Sequence, residues 1–277
     1  MKLLKKILVI KHPETQIRKL ILLVISIIGL ICISAYKEQL TLIDVHLANW
    51  GKELTALIPN PFEVGLVKFL NLYDRWFYAL SVVVAILMLI IRQFYFKQKF
   101  SWHLLIHFAF AAAIMLGAAG LLIFGLKRIY QRPLPLETFE HAQSPSSCLV
   151  HFIPAFQRFN SPNPCNIKFD GFPSGHVTIL TTNMFLTTTL IESTFRSVKN
   201  LKKSVWLQIL AQLTKILNII FTLVMCLGRI AVQAHYVTDV VASVAFAGLF
   251  VGISEVLEPF WEEEEKRGKM AEAILYV

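Results

Sequence analysis

Six uncharged, largely apolar runs punctuate the sequence: Leu20 to Tyr36, Trp76 to Ile91, Phe100 to Leu126, Gly171 to Ile191, Ile216 to Gly228 and Val240 to Ser254. Several are shorter than the ~20 residues that carry a helix across a bilayer. Their ends therefore recruit flanking Lys, Arg, Trp or Tyr, whose polar tips reach the interface. The pattern predicts an all-α, polytopic membrane bundle of six transmembrane helices, built as a single domain over residues 1–277 without internal repeats. Between the first two runs lies LTLIDVHLANWGKELTALIPNPF, whose apolar residues recur at mixed spacings of three and four. That spacing fits an amphipathic piece in the outer interface, with a plain connector as the alternative. The longest connection, Arg128 to Asp170, holds six of the eleven prolines, with Pro173 just beyond. A connection of that length anchored in two helices points to function.

Composition agrees with the pattern. The chain is 56% hydrophobic and only 16% charged, with mean hydropathy +0.60, which a soluble core of ordinary composition does not explain. Its net charge of +9 resides mostly in short loops. Lys2, Lys5, Lys6, Lys11, Arg18 and Lys19 precede the first run; Arg92, Lys97 and Lys99 follow the second; Arg196, Lys199, Lys202 and Lys203 follow the fourth. With six spans these groups share one side, which the positive-inside rule makes cytoplasmic, and both termini lie there. The charge is accounted for without nucleic-acid binding. The first run reads as an anchor rather than a secretory signal, because no small-x-small cleavage site follows it. Glu262 to Glu265 read as a solvated tail.

The cysteines divide by depth. Cys32 and Cys226 fall in apolar runs and read as small buried hydrophobes. Cys148 and Cys165 share the long outer loop, where an oxidising compartment permits a disulfide. His103 and His107 have the i, i+4 spacing of a ligand pair, but no third ligand is near and their end of the run is cytoplasmic, so they read as interfacial.

Three clusters remain, and six-helix counting places all of them at the outer face. In LKRIYQRPLP, residues 126–135, Lys127, Arg128 and Arg132 gather where an apolar run emerges, against the usual charge bias. In FDGFPSGHVTIL, residues 169–180, Pro173 disfavours the α region at Phe172, and Ser174 can cap a helix starting near His176. Gly175 lets an anion approach the helix's positive end. In GRIAVQAHYVTD, residues 228–239, His235 and Asp239 are four apart, so on a helix the carboxylate reaches the imidazole and fixes its tautomer. Arg229 adds a planar donor suited to phosphate.

These stretches resemble the three-part signature of the type-2 phosphatidic acid phosphatase superfamily: Lys-x6-Arg-Pro, Pro-Ser-Gly-His, and Ser-Arg-x5-His-x3-Asp. PSGH stands intact at 173–176, and Arg229, His235 and Asp239 keep the third spacing. Gly228 replaces a serine. Against the fuller form Lys-x-x-x-Gly-Arg-x-Arg-Pro, Lys127 and Arg132 match, but Leu134 stands where a second arginine belongs. The resemblance implies a metal- and cofactor-independent lipid phosphatase acting on a phosphomonoester or diphosphate headgroup; chain size and the cysteine pair favour a bacterial inner membrane with the site at the periplasmic face, a eukaryotic internal membrane being the alternative. His235 is the implied nucleophile, Asp239 its partner and His176 the acid and base. Lys127, Arg132, Ser174, Gly175 and Arg229 are the implied phosphate ligands. Phosphotransfer to a lipid or sugar hydroxyl, or a lipid-binding or transport protein with decayed catalysis, are the competing readings.

Overall fold

A computed structural model describes residues 13–57, 123–136, 152–158, 170–196 and 201–253, with scattered positions between 83 and 121 and at 138. Among the described residues the chain is helical, without strands. Helix α1 is Pro13–Ala35 and α2 is Lys37–Leu57; α3 covers 123–130; α4 is Gly175–Arg196, α5 Leu201–Ala231 and α6 Val237–Ile253. Most of the expected runs Trp76 to Ile91 and Phe100 to Leu126 lies outside the described residues, as do His103, His107, Cys148, Cys165 and the acidic tail.

The apolar runs become longer helices than their uncharged cores. The Ile216 to Gly228 run is the end of a 24-residue apolar stretch, Gln208–Ala231, long enough to cross a bilayer. A single lysine, Lys215, lies inside it without breaking the helix. Leu20–Ala35 and Lys37–Leu54 pass the same test only as a pair bent by 89°, and α6 is apolar but shorter. Large hydrophobic side chains face outward on α1, among them Ile25, Ile28 and Ile31, and on α5, among them Trp206, Ile216, Ile219 and Leu223. Cys32 is exposed on that α1 surface rather than buried as expected, and Cys226 is partly buried. An outward apolar surface suits small hydrophobes as well as a core does.

The right-angle bend makes the amphipathic stretch a helix with two distinct faces. Asp44, Ala48 and Gly51 recur at one inward stripe, while Leu42, Ile43 and Trp50 point out. Gly51 is required by packing, since a Cβ there would sit 2.7 Å from the Ile230 carbonyl oxygen at the end of α5. Helix α6 is the central post. Its Gly252 packs against Leu23 of α1, and Gly248 against Ser26 and Leu22, the small-residue contact that lets helix backbones approach closely. On its other sides Ala242, Phe246 and Phe250 join Ile33, Ile123 and Phe172, while Val240 joins Val177, Leu180 and Met225.

Several threonines inside the bundle are satisfied locally. The hydroxyls of Thr178, Thr182 and Thr188 donate to carbonyls one turn back along α4, the usual answer for threonine in an apolar helix. Asn218 of α5 donates across the helix pair to the Met184 carbonyl at 2.7 Å and to Thr188 Oγ1.

Candidate active site

Backbone hydrogen bonds join the three sequence clusters. The Gly171 N–H donates to the Arg132 carbonyl at 2.9 Å, linking the first cluster to the second. The Gly171 carbonyl lies 2.8 Å from His235 Nδ1, linking the second to the third, and the Ser174 N–H donates to the Asp239 carbonyl at 3.4 Å. Gly171 has no room for a side chain: a Cβ would stand 2.9 Å from the carbonyl oxygens of both Arg132 and Pro133. Sequence reasoning treated Gly171 as the edge of an apolar run; its role becomes visible only when the distant strand of chain at 132–133 is laid against it.

His235 sits in the turn between α5 and α6. Helix α5 closes with Gln233 in the left-handed region (φ 54°) and with the N–H groups of Ala234 and His235 donating to the Arg229 carbonyl, a helix ending of the αL kind. Because His235 precedes the first turn of α6, the i, i+4 contact expected of a continuous helix is not direct: Nδ1 is 3.9 Å from Asp239 Oδ2. The Gly171 carbonyl takes the place of the expected carboxylate. A carbonyl only accepts, so Nδ1 carries the proton and the lone pair resides on Nε2. Burial, with Lys127 and Arg229 nearby, holds this imidazole well below the ordinary histidine range, the Gly171 bond opposing. It is neutral at physiological pH.

Asp239 is fully buried at the start of α6. Its Oδ2 accepts the Tyr236 N–H at 2.8 Å, as a capping-box carboxylate does, and its Oδ1 accepts from Arg132.

Arg132 is also fully buried. Nε donates to the Ile153 carbonyl at 2.7 Å, one terminal nitrogen to Thr238 Oγ1 at 2.8 Å and to Asp239, and the other to Asp44 Oδ2 at 2.8 Å. Its guanidinium carbon lies 4.4 Å from the Tyr236 ring centroid and 5.1 Å from that of Phe152. Four of its N–H groups are thus engaged inside the protein, where the sequence suggested a phosphate ligand. Asp44 is the acid that sequence reasoning missed. It also accepts the Thr238 N–H at 2.9 Å and the Thr238 hydroxyl at 2.5 Å. The available signal was a lone carboxylate on the stripe shared with Ala48 and Gly51.

Of the other predicted residues, Lys127, Arg229 and His176 lie close enough for their charges to act on His235. Lys127 is half-buried within α3, and burial lowers its ammonium pKa, opposed by Asp170 and Asp239 and assisted by Arg229. The charges of Lys127 and Arg229 also reach His176, in the first turn of α4. Arg229 is buried in the last turn of α5. Ser174 immediately precedes α4, and its fully buried hydroxyl makes no hydrogen bond among the described residues. A Cβ at Gly175 would meet only Ile123 at 3.5 Å. Arg128 and Arg158 are exposed, so neither replaces inside the protein the arginine missing at Leu134, and Lys168 lies outside the described residues. The arrangement brings together a neutral imidazole, a second imidazole and two cations near a helix start, groups that can in principle bind and react with an anion.

Residues 108–259 match the PAP2 superfamily. No curated protein matches the chain. Among solved structures the chain is similar to a transmembrane PAP2-type phosphatidylglycerolphosphate phosphatase from Bacillus subtilis, at 15% identity and TM-score 0.48, over 86% of this chain and 94% of that one.

Proposed function

This chain belongs to the PAP2 superfamily, whose members are phosphatases, and from that premise we propose that it is an integral membrane lipid phosphatase working through a phosphohistidine. The observation that carries the reading is the Gly171 carbonyl on His235 Nδ1, which leaves Nε2 as a nucleophile beside Lys127, Arg229 and the start of α4. His235 Nε2 attacks phosphorus and the P–O bond to the leaving group breaks, with His176 giving its proton to the departing oxygen. Water then attacks the phosphohistidine, His176 takes the water proton, and the N–P bond breaks to release phosphate.

Lys127, Arg229, the Ser174 hydroxyl and the Gly175 N–H hold the phosphoryl oxygens, where charge compensation supplies much of the rate. Asp239 stabilises the positive charge that develops on the His235 ring. Arg132 works from behind Asp239 instead of on the phosphate. The aliphatic exteriors of α1 and α5 suit a bilayer, and the interfacial α2 bend suits a site at headgroup level, so the substrate is an amphiphile: phosphatidate, phosphatidylglycerophosphate, undecaprenyl diphosphate or a lipid A phosphate. The basic loops orient that site toward the periplasm of a bacterial inner membrane.

The test is phosphate release by purified protein in detergent against a phospholipid panel, with EDTA present and with or without acceptor lipid. Turnover of at least one lipid, lost in His235→Ala and His176→Ala, and an acid-labile phosphoenzyme are the expected results. Full activity in His235→Ala overturns the scheme; phosphate passing to acceptor instead of water makes the protein a phosphotransferase.

A further inference from the structure

The buried trio Asp44, Arg132 and Asp239 is more than packing. Two carboxylates flank one guanidinium, at 2.8 Å on the Asp44 side and in direct contact on the Asp239 side, and all three side chains are at most 1% exposed. Burying charges away from water is costly unless each is paired, and here, with both carboxylates ionised, the pairing leaves the trio with one net negative charge. That excess has a destination. Asp239 is the member nearest the imidazole, 3.9 Å from Nδ1.

The contribution of Asp44 follows from subtraction. With Arg132 paired to Asp239 alone, the two charges cancel and the imidazole faces a neutral dipole. Asp44 occupies the other edge of the guanidinium, so Asp239 keeps its field for the ring. Thr238 ties the geometry down, donating its N–H and hydroxyl to Asp44 and receiving from Arg132. The Asp44 carboxylate is also placed at the positive end of α6, where an anion is favoured. Asp44 belongs to α2, before the stretch 108–259 that matches the superfamily.

Resting on the phosphatase reading, we propose that Asp44 is a positioning residue of this reaction: it neutralises Arg132 so that Asp239 retains the negative charge that stabilises the phosphorylated His235 ring. The N-terminal amphipathic helix is thereby part of the active site's electrostatics.

The test is a charge-pair cycle in detergent-purified full-length protein, comparing wild type, Asp44→Asn and Asp44→Asn with Arg132→Gln. The single variant should lose at least tenfold in kcat with KM within about twofold. The double variant, which restores the trio's single negative charge, should regain kcat over the single one, a recovery that loss of structure alone does not give. An unchanged kcat in Asp44→Asn, a loss carried by KM, or a double variant no faster than the single one overturns the proposal. If Asp44→Asn does not fold, the double variant decides: kcat within about tenfold of wild type supports the idea, and a larger loss or a failure to fold overturns it. A parallel readout needs no lipid: the rate at which diethyl pyrocarbonate acylates His235, followed by peptide mass spectrometry, should fall in the single variant and recover in the double. A wild type silent on every lipid that keeps this acylation order refutes the phosphatase reading and leaves the electrostatic role standing; an order that is flat refutes the role.

Discussion

Replacing Gly171 by alanine perturbs the site at a residue that touches all three clusters. The new Cβ would lie 2.9 Å from the Arg132 and Pro133 carbonyl oxygens, whereas ordinary contact begins at 3.4 Å. The backbone of one segment must retreat by the difference, about 0.5 Å. Both partners of the contact are main chain, so no flexible side chain can give way. A retreat of that size lengthens the bond from the Gly171 N–H to Arg132, now 2.9 Å, and carries the Gly171 carbonyl away from His235 Nδ1, now 2.8 Å. At about 3.3 Å that second bond is beyond the normal range and orients the ring poorly. Overpacking of this kind costs about 1–3 kcal/mol of stability, and misplacement of a reacting group by ~1 Å can cost ~100-fold in rate. We expect kcat for phosphate release to fall between about tenfold and a hundredfold, with a lower thermal midpoint in detergent. Gly125→Ala is the control: a Cβ there meets nothing within 4 Å, and helix propensity favours alanine by ~1 kcal/mol. A Gly171→Ala enzyme with wild-type kcat refutes the argument that this carbonyl sets the nucleophile.

Other outcomes follow from the same geometry. His235 is held well below its ordinary pKa by burial, so the unfolded state takes up a proton first as pH falls; stability is full above pH ~6.5 and declines below it, by at most about 1.4 kcal/mol per pH unit from this group. Denaturation midpoints of wild type and His235→Gln between pH 7.5 and 5 should show the shallower slope in the variant. Gln131, exposed and at φ 47°, stands where the superfamily form has glycine, so Gln131→Gly should stabilise by about 0.5–1 kcal/mol after the entropic cost of glycine, read as a raised thermal midpoint. Arg132→Lys keeps the charge but cannot span Asp44, Asp239, Thr238 and the Ile153 carbonyl together. It should destabilise by about 3 kcal/mol, as breaking a buried ion pair does, and a variant as stable as wild type speaks against the network. Asn218→Leu removes the tie to Met184 and Thr188 and should cost about 1 kcal/mol by the same assay.

Local signals in the sequence determined much of this molecule. Apolar runs placed α1, α4, α5 and α6, and the Pro-Ser-Gly-His order placed a helix start next to a histidine, while mixed three-and-four spacing left α2 open between an amphipathic helix and a connector. Lys127, His176, Arg229, His235 and Asp239 were singled out there by residue type, short spacing and the family resemblance. What lay beyond it were choices between partners far apart along the chain. Arg132 and Asp44 are 88 positions apart, and Thr238 and Asp44 are 194 apart. Which charge an arginine meets depends on how helices stack, not on its neighbours in sequence. Tertiary packing turned Arg132 inward, brought Asp44 of α2 to the start of α6, and ended α5 one turn too early for Asp239 to reach His235 directly. The carbonyl of Gly171 took that place, since only a residue without a Cβ lets the 171 and 132–133 backbones approach closely enough.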